Sequence, residues 1–169
     1  VIGQLRFQWN DSNVASIQAK AGDDTSNKDD GHLTFNTAAS GGNVVERMRI
    51  DRVGRTIIGA SADVTGDSAS LLQVVDIDSG PRIVLARNDQ SISANNLIGE
   101  IRWIRNDNSG YQQRANIRCE AAGTHSNNDK PSRLEFATTP DNSATPVERV
   151  RINHNGRVGI GDTSPDTAL

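Results

Sequence analysis

The chain has 169 residues, a formal net charge of −3, and only 34% hydrophobic and 4% aromatic side chains. With glycine counted the apolar share is about 43%, just under the ordinary range for a soluble domain, and few of these residues are large. No run of ~18–20 apolar residues is present to make a membrane helix. The single Cys119 cannot form an internal disulfide, and the acidic balance lacks the basic footprint that nucleic acid requires. A deep core is hard to build from such a chain alone, which favours identical chains sharing one. The opening Val1-Ile2-Gly3 reads as the start of a fragment, so the lack of a leader pattern carries no weight.

The elements follow in chain order. Leu5, Phe7 and Trp9 alternate with Gln4, Arg6 and Gln8, the period of two of a half-buried strand. Residues 21–31 are polar and turn-rich, and read as a loop. Leu33, Phe35 and Thr37 then alternate with Thr34 and Asn36, and Met48 and Ile50 alternate with Arg47, Arg49 and Asp51. Val53-Gly54 is a weak turn dipeptide. Leu71–Val75 and Arg82–Leu85 predict two strands around an Asp76–Pro81 turn. Residues 122–132 form a second polar loop. Arg151–Ile160 predicts a hairpin turning on Asn155-Gly156. No stretch carries a sustained helical stripe, so the expected class is all-β.

An internal repeat of about 100 residues underlies this order. Ile2-Gly3-Gln4-Leu5-Arg6-Phe7 matches Ile98-Gly99-Glu100-Ile101-Arg102-Trp103, and Leu33-Thr34-Phe35 matches Leu134-Glu135-Phe136. Glu46-Arg47-Met48-Arg49-Ile50-Asp51 matches Glu148-Arg149-Val150-Arg151-Ile152-Asn153. The expected division is a first unit at 1–60, joining strands at 61–96, and a second unit with the start of a linker at 97–169. Four residues inserted near Gly110–Gln113 are expected to lengthen a loop.

These residues are familiar as a set. Pro81-Arg82-Ile83-Val84-Leu85, Ile98–Trp103, Leu134-Glu135-Phe136 and Glu148–Ile152 resemble repeats in the tail-fibre shafts of tailed bacteriophages. Asn155-Gly156-Arg157-Val158-Gly159-Ile160-Gly161-Asp162-Thr163-Ser164-Pro165 is similar to the Asn-Gly-x-Val-Gly-Ile-Gly-Thr-x-Ser-Pro runs of such shafts, common in marine and cyanobacterial phages. Asp162-Thr163 departs from that run, the first copy lacks its Pro, and nothing matches a self-cleaving chaperone domain. The resemblance implies an elongated, homotrimeric fibrous β-structure, either an intertwined β-prism or triple β-helix or a stack of small β-sandwiches. It implies a virion location and partners of three kinds: the chain's own copies, other tail-fibre or baseplate segments, and a host-surface glycan or protein. No nucleic acid or membrane insertion is expected. The rows expected to face the threefold axis are Leu33, Phe35, Met48, Ile50, Leu134, Phe136, Val150, Ile152, Val158 and Ile160.

Chemistry is expected to be sparse: no catalytic residue, cofactor or metal, and no enzyme. Asp76-Ile77-Asp78-Ser79-Gly80 opens like a calcium loop, but Pro81 and Arg87 stand where Gly and a bidentate Glu are needed. Asp23, Asp24, Asp29 and Asp30 read as a solvated loop, since the second copy is mostly neutral there. His32, His125 and His154 lack ligand spacing. Cys119 has no paired His and reads as a packed thiol, and Gly159-Ile160-Gly161 sits on strand pattern. Glu46-Arg47 and Glu148-Arg149 are expected to pair across chains. Trp9 and Tyr111 are the candidate glycan contacts, with the loops at 21–31, 109–114 and 122–132 around them. A glycan-binding module is therefore the second reading. A depolymerase tailspike lacks a supported carboxylate pair, and a bacterial surface stalk is a further alternative.

Overall fold

The computed structural model describes residues 1–24, 26–66, 69–76, 78–107 and 110–167. They form two sheets and, among the described residues, no helix. The chain divides into two units, Val1–Ile83 and Val84–Leu169.

The first unit holds β1 (Gly3–Trp9), β2 (Ser12–Ala21), β3 (Gly31–Ala38), β4 (Val44–Ile50), β5 (Thr56–Ile58) and β6 (Leu72–Val74), in that order across one sheet. Neighbours are antiparallel except β6, which runs parallel to β5. The β1–β2 hairpin turns on two residues, Asn10 and Asp11, both at positive φ (46° and 64°). That is the mirror-image turn matching the right-handed strand twist.

The second unit holds β7 (Leu97–Asp107), β8 (Gly110–Ala121), β9 (Ser132–Thr138), β10 (Val147–Ile152) and β11 (Val158–Ile160), also in sequential order and all antiparallel. The register matches that of the first sheet. Leu5, Ile17, Phe35, Met48 and Ile58 lie in one row, and Ile101, Ile117, Phe136, Val150 and Ile160 in the other. The next row reads Gly3, Ala19, Leu33, Ile50, Thr56 in the first sheet and Gly99, Cys119, Leu134, Ile152, Val158 in the second.

Three expectations are corrected. The segment 61–96 does not supply two strands. Leu72–Val74 add to the first sheet, but residues 82–85 form none, and Ile83 and Val84 are exposed. The four extra residues of the second copy do not lengthen a loop. They extend the hairpin ladder by the pairs Asn106↔Tyr111 and Asp107↔Gly110, so Gly110–Arg114 are strand. The late hairpins do not use a two-residue Asn-Gly turn. Gly54 and Gly156 have φ of 86° and 77°, while Val53 and Asn155 do not reach positive φ. Only the glycine has to be left-handed, so Val53 costs nothing there. The side chain at the first position holds both turns. Asp51 Oδ1 accepts from the amides of Val53 and Arg55, and Asn153 Oδ1 from those of Asn155 and Arg157.

Each sheet also carries one irregularity on β4 or β10. Asn36 faces Glu46 while Phe35 faces Met48, leaving Arg47 outside the ladder, and Arg149 stands likewise in the second sheet. The bulge reverses the alternation. It puts Glu46 on the face of Arg49, and Glu148 on that of Arg151.

Candidate functional site

Each sheet has an apolar and a polar face. All ten residues of the expected core rows lie on the apolar faces by register, joined by Leu5, Phe7, Ile17, Ile101, Trp103 and Ile117. Among the described residues, all strands of each unit lie in its one sheet, so no strand of the same unit crosses its apolar face. The ten are half-buried or exposed, Ile160 at 74%. Among the described residues the buried apolar side chains are others, Ile57, Ala121 and Ala137. An apolar sheet face requires a partner layer, and uncovered patches of this kind mark interaction surfaces. Cys119 lies half-buried on this face between Gly99 and Leu134. Burial and the charge of Glu120 push its thiol up, so it stays protonated and packs.

The polar faces bury the chain's polar groups instead. In the first sheet, Asn36 Nδ2 donates to the carbonyls of Ser16 and Thr34 and to Thr34 Oγ1. Glu46 binds Lys20 at 2.8 Å and Arg49 at 2.5 Å. The connection after β5 returns over this face: Gln73 Nε2 donates to Asp63, which also binds Arg55, and Gln73 lies beside Ile57. In the second sheet Glu135, 1% exposed, accepts from Arg118 at 2.6 Å, Arg133 at 2.5 Å and Arg151 at 3.0 Å. Burial pushes its carboxyl up, but the bonds from Arg133 and Arg118 outweigh that and hold it below the ordinary value. Glu100 stands in the same position. Burial raises it, and Asn116, Arg102 and Arg118 hold it low.

Glu46-Arg47 and Glu148-Arg149, expected to pair across chains, form no ion pair with each other within the chain. Glu46 and Glu148 pair with Arg49 and Arg151 of their own strand. Arg47 and Arg149 sit at the bulges and donate to Thr37 and Thr138. The carboxylates of the 21–31 loop organise backbone. Asp30 accepts from the amides of Asp23 and Asp24, and Asp24 from those of Ser26 and Asn27. Those backbone bonds hold Asp24 low. Asp76 likewise accepts from the amides of Asp78 and Ser79, a side-chain-closed turn; Ile77 lies outside the described residues. His125 joins two loops through its amide to the Ile92 carbonyl, with Nε2 near the Pro131 carbonyl. His32 pairs with Lys20 in the ladder, and His154 lies in the β10–β11 turn. Among the described residues no group of three or more His, Cys, Asp or Glu could hold a metal ion.

The two aromatic candidates fall on opposite kinds of face. Trp9, 76% exposed, shares the apolar face with Leu5 and Phe7. Tyr111, 80% exposed, lies on the polar face, because the irregularity at Arg114 reverses β8 before Gln113. The bond from Gln113 Nε2 to Glu100 Oε1 fixes that side. Alternation already sets Trp9 on the side of Leu5 and Phe7, whereas the polar-face position of Tyr111 depends on the irregularity at Arg114, which the sequence does not mark.

No family model matches the chain, and no curated protein matches it. Among solved structures it is similar to the carboxy-terminal domain of the bacteriophage T5 L-shaped tail fibre, with a TM-score of 0.40 and 13% identity over 98% of this chain and 80% of that one. It is also similar to that domain with its intramolecular chaperone domain, at a TM-score of 0.40 and 14% identity over 98% of this chain and 56% of that one. These likenesses are too distant to carry a function across.

Proposed function

We propose that this chain is a non-enzymatic segment of a homotrimeric fibre shaft, of the kind that tail fibres of phage virions use to reach a host surface. The observation that supports the reading is the pair of apolar sheet faces, matched row for row, each uncovered by any described strand of its own unit. Three copies around one axis would bury Phe35, Met48, Phe136 and Val150 against their equivalents. Each such side chain contributes about 1.5–3 kcal/mol when fully buried. Closure also covers the exposed edges at β1, β6, β7 and β11, which otherwise invite uncontrolled pairing. The mechanism is then geometric. A stiff stalk carries other fibre segments away from the particle, and several fibres at once add avidity.

Sedimentation equilibrium should give three times the 18.2 kDa chain mass, and electron micrographs should show thin rods. Phe35→Asp and Phe136→Asp should each dissociate the assembly, because a carboxylate buried threefold at an apolar axis has no partner. A monodisperse monomer at micromolar concentration would end the proposal.

A further inference from the structure

The two sheets end differently. In the first, β6 runs parallel to β5, the Thr56 amide donates to the Leu71 carbonyl, and the Val75 amide donates to the Ile58 carbonyl. In the second, Val158 and Ile160 hold the registers of Thr56 and Ile58. The bonds of Gly161 to Arg149 and of Asn153 to Arg157 set the alternation along this hairpin. It turns the backbone groups of Val158 and Ile160 away from β10. Among the described residues no strand meets them, and Ile160 is 74% exposed where Ile58 is 41%. The β11 edge is therefore a place for a parallel strand, in the form that β5 and β6 display.

Arg82–Val84 is the matching half. Ile83 and Val84 are β-branched and exposed, and among the described residues no hydrogen bond engages the backbone of 82–84. This segment cannot reach β11 of its own chain. Leu85 packs on Gly99 of β7, its Cβ 3.0 Å from where a Cβ of residue 99 would stand. β7 and β11 are opposite edges of the five-stranded sheet, so four strand spacings, about 19 Å, separate them. The three residues from Leu85 back to Arg82 span about 11 Å at most. Another copy has to supply the strand. Charge agrees. Arg55 is held by Asp51 at 2.7 Å and Asp63 at 2.5 Å. Arg157 takes its place in the second unit, but Asn153 replaces Asp51, and Pro165 stands four residues past Gly161 as Asp63 does past Gly59. Asp166 lines the same cleft without forming an ion pair to Arg157. Asp78, four residues before Arg82, is exposed, and its carboxylate has no partner among the described residues. A strand laid parallel to β11 brings its upstream residues to the Arg157 end.

We propose that Arg82–Val84 of one copy adds as a parallel strand to β11 of a second copy, with Asp78 of the first copy against Arg157 of the second. The contact is head-to-tail, so it closes into a ring and leaves no free β11 edge. It deepens the shaft reading and rests on that reading for the number of copies. The test uses the 169-residue chain, with sedimentation for the assembly and amide hydrogen exchange at Val158 and Ile160 for the edge. Both amides should be protected in the assembly. Asp78→Arg and Arg157→Asp should each weaken association about threefold or more, and the two together should restore it. Changing Ile83 and Val84 together to Pro removes two amide donors that the chain itself does not use, so each chain keeps its fold. Protection at Val158 and Ile160 should then fall about tenfold or more. Three outcomes overturn the docking and leave the shaft standing: a trimer with unprotected β11 amides, protection that survives the proline pair, or no rescue in the charge exchange. An assembly of another size that shows the rescue does the reverse, and a monomer overturns both.

Discussion

In the first unit the buried centre of the polar face is neutral: Ser16, Thr34 and Asn36, bonded to one another and to backbone. In the second unit the same register positions are Asn116, Glu135 and Ala137, and Glu135 gathers three arginines. The apolar faces do not diverge in this way. Leu33 corresponds to Leu134, Phe35 to Phe136 and Ile50 to Ile152, each at the same place in the ladder. The difference separates two demands on one strand. The apolar face sets the register, because a slip of one residue would turn every large side chain to the wrong side. The polar face needs only to satisfy itself, so a hydroxyl–amide cluster and an ion-pair cluster serve equally well.

The largest effect that would break this comparison is expected at Glu135. Glu135→Ala leaves Arg118, Arg133 and Arg151 without their shared partner, and should cost about 3 kcal/mol. Thr34→Ala, at the matching position, should cost about 1 kcal/mol. Trp9 and Trp103 report the two units separately by fluorescence once the other is changed to Phe. Equal losses at the two sites would mean that the charged cluster adds nothing over the neutral one. The same carboxyl sets a pH dependence. Glu135 and Glu100 are held below the ordinary value of 4.5, so their contribution is complete above that value. It is lost as pH falls through their lower folded values. Urea midpoints followed at Trp103 should therefore drop in acid, and Glu135→Gln should flatten the drop. An unchanged acid slope in that variant would place the titration elsewhere.

A second pair of substitutions sharpens the comparison at the sheet ends. Gly59 has φ of 88°, and a Cβ there would stand 1.9 Å from the Val75 carbonyl oxygen. Gly59→Ala should cost about 2 kcal/mol or more, since strain adds to the displacement of β6. Gly156 has φ of 77° with nothing within 4 Å of a Cβ, so Gly156→Ala should cost about 1 kcal/mol from backbone strain alone. Equal melting shifts would mean that β6 gives way without resistance.

Much of this was legible in the residues themselves. Strict alternation in Leu33–Thr37 and in Leu5–Trp9 predicts strands, and the ten expected core residues share faces as period two requires. The bulges were not legible, because one unpaired residue leaves no compositional mark. Read with regular alternation, Glu46 falls on the side of Met48 rather than Arg49, and Gln113 on that of Ala115. Ile83 and Val84 mislead in the other direction. Their β-branched pattern favours a strand, but strand formation needs a neighbour with free backbone groups, and none pairs with them.

The smallest effect concerns Glu148. Within its own chain it binds Arg151 three residues along, at 2.7 Å. The bulge at Arg149 makes this possible, by turning residues three apart to one side. A within-strand pair that is still partly open to solvent contributes about 1 kcal/mol or less. Glu148→Gln should therefore lower the melting midpoint slightly and leave the sedimenting mass unchanged. Glu46→Gln should behave alike but cost somewhat more, because Glu46 also binds Lys20 across the sheet. Dissociation of the assembly by Glu148→Gln alone would show that this carboxylate serves a neighbouring chain after all. The polar face would then help set the register between chains, a task assigned above to the apolar face.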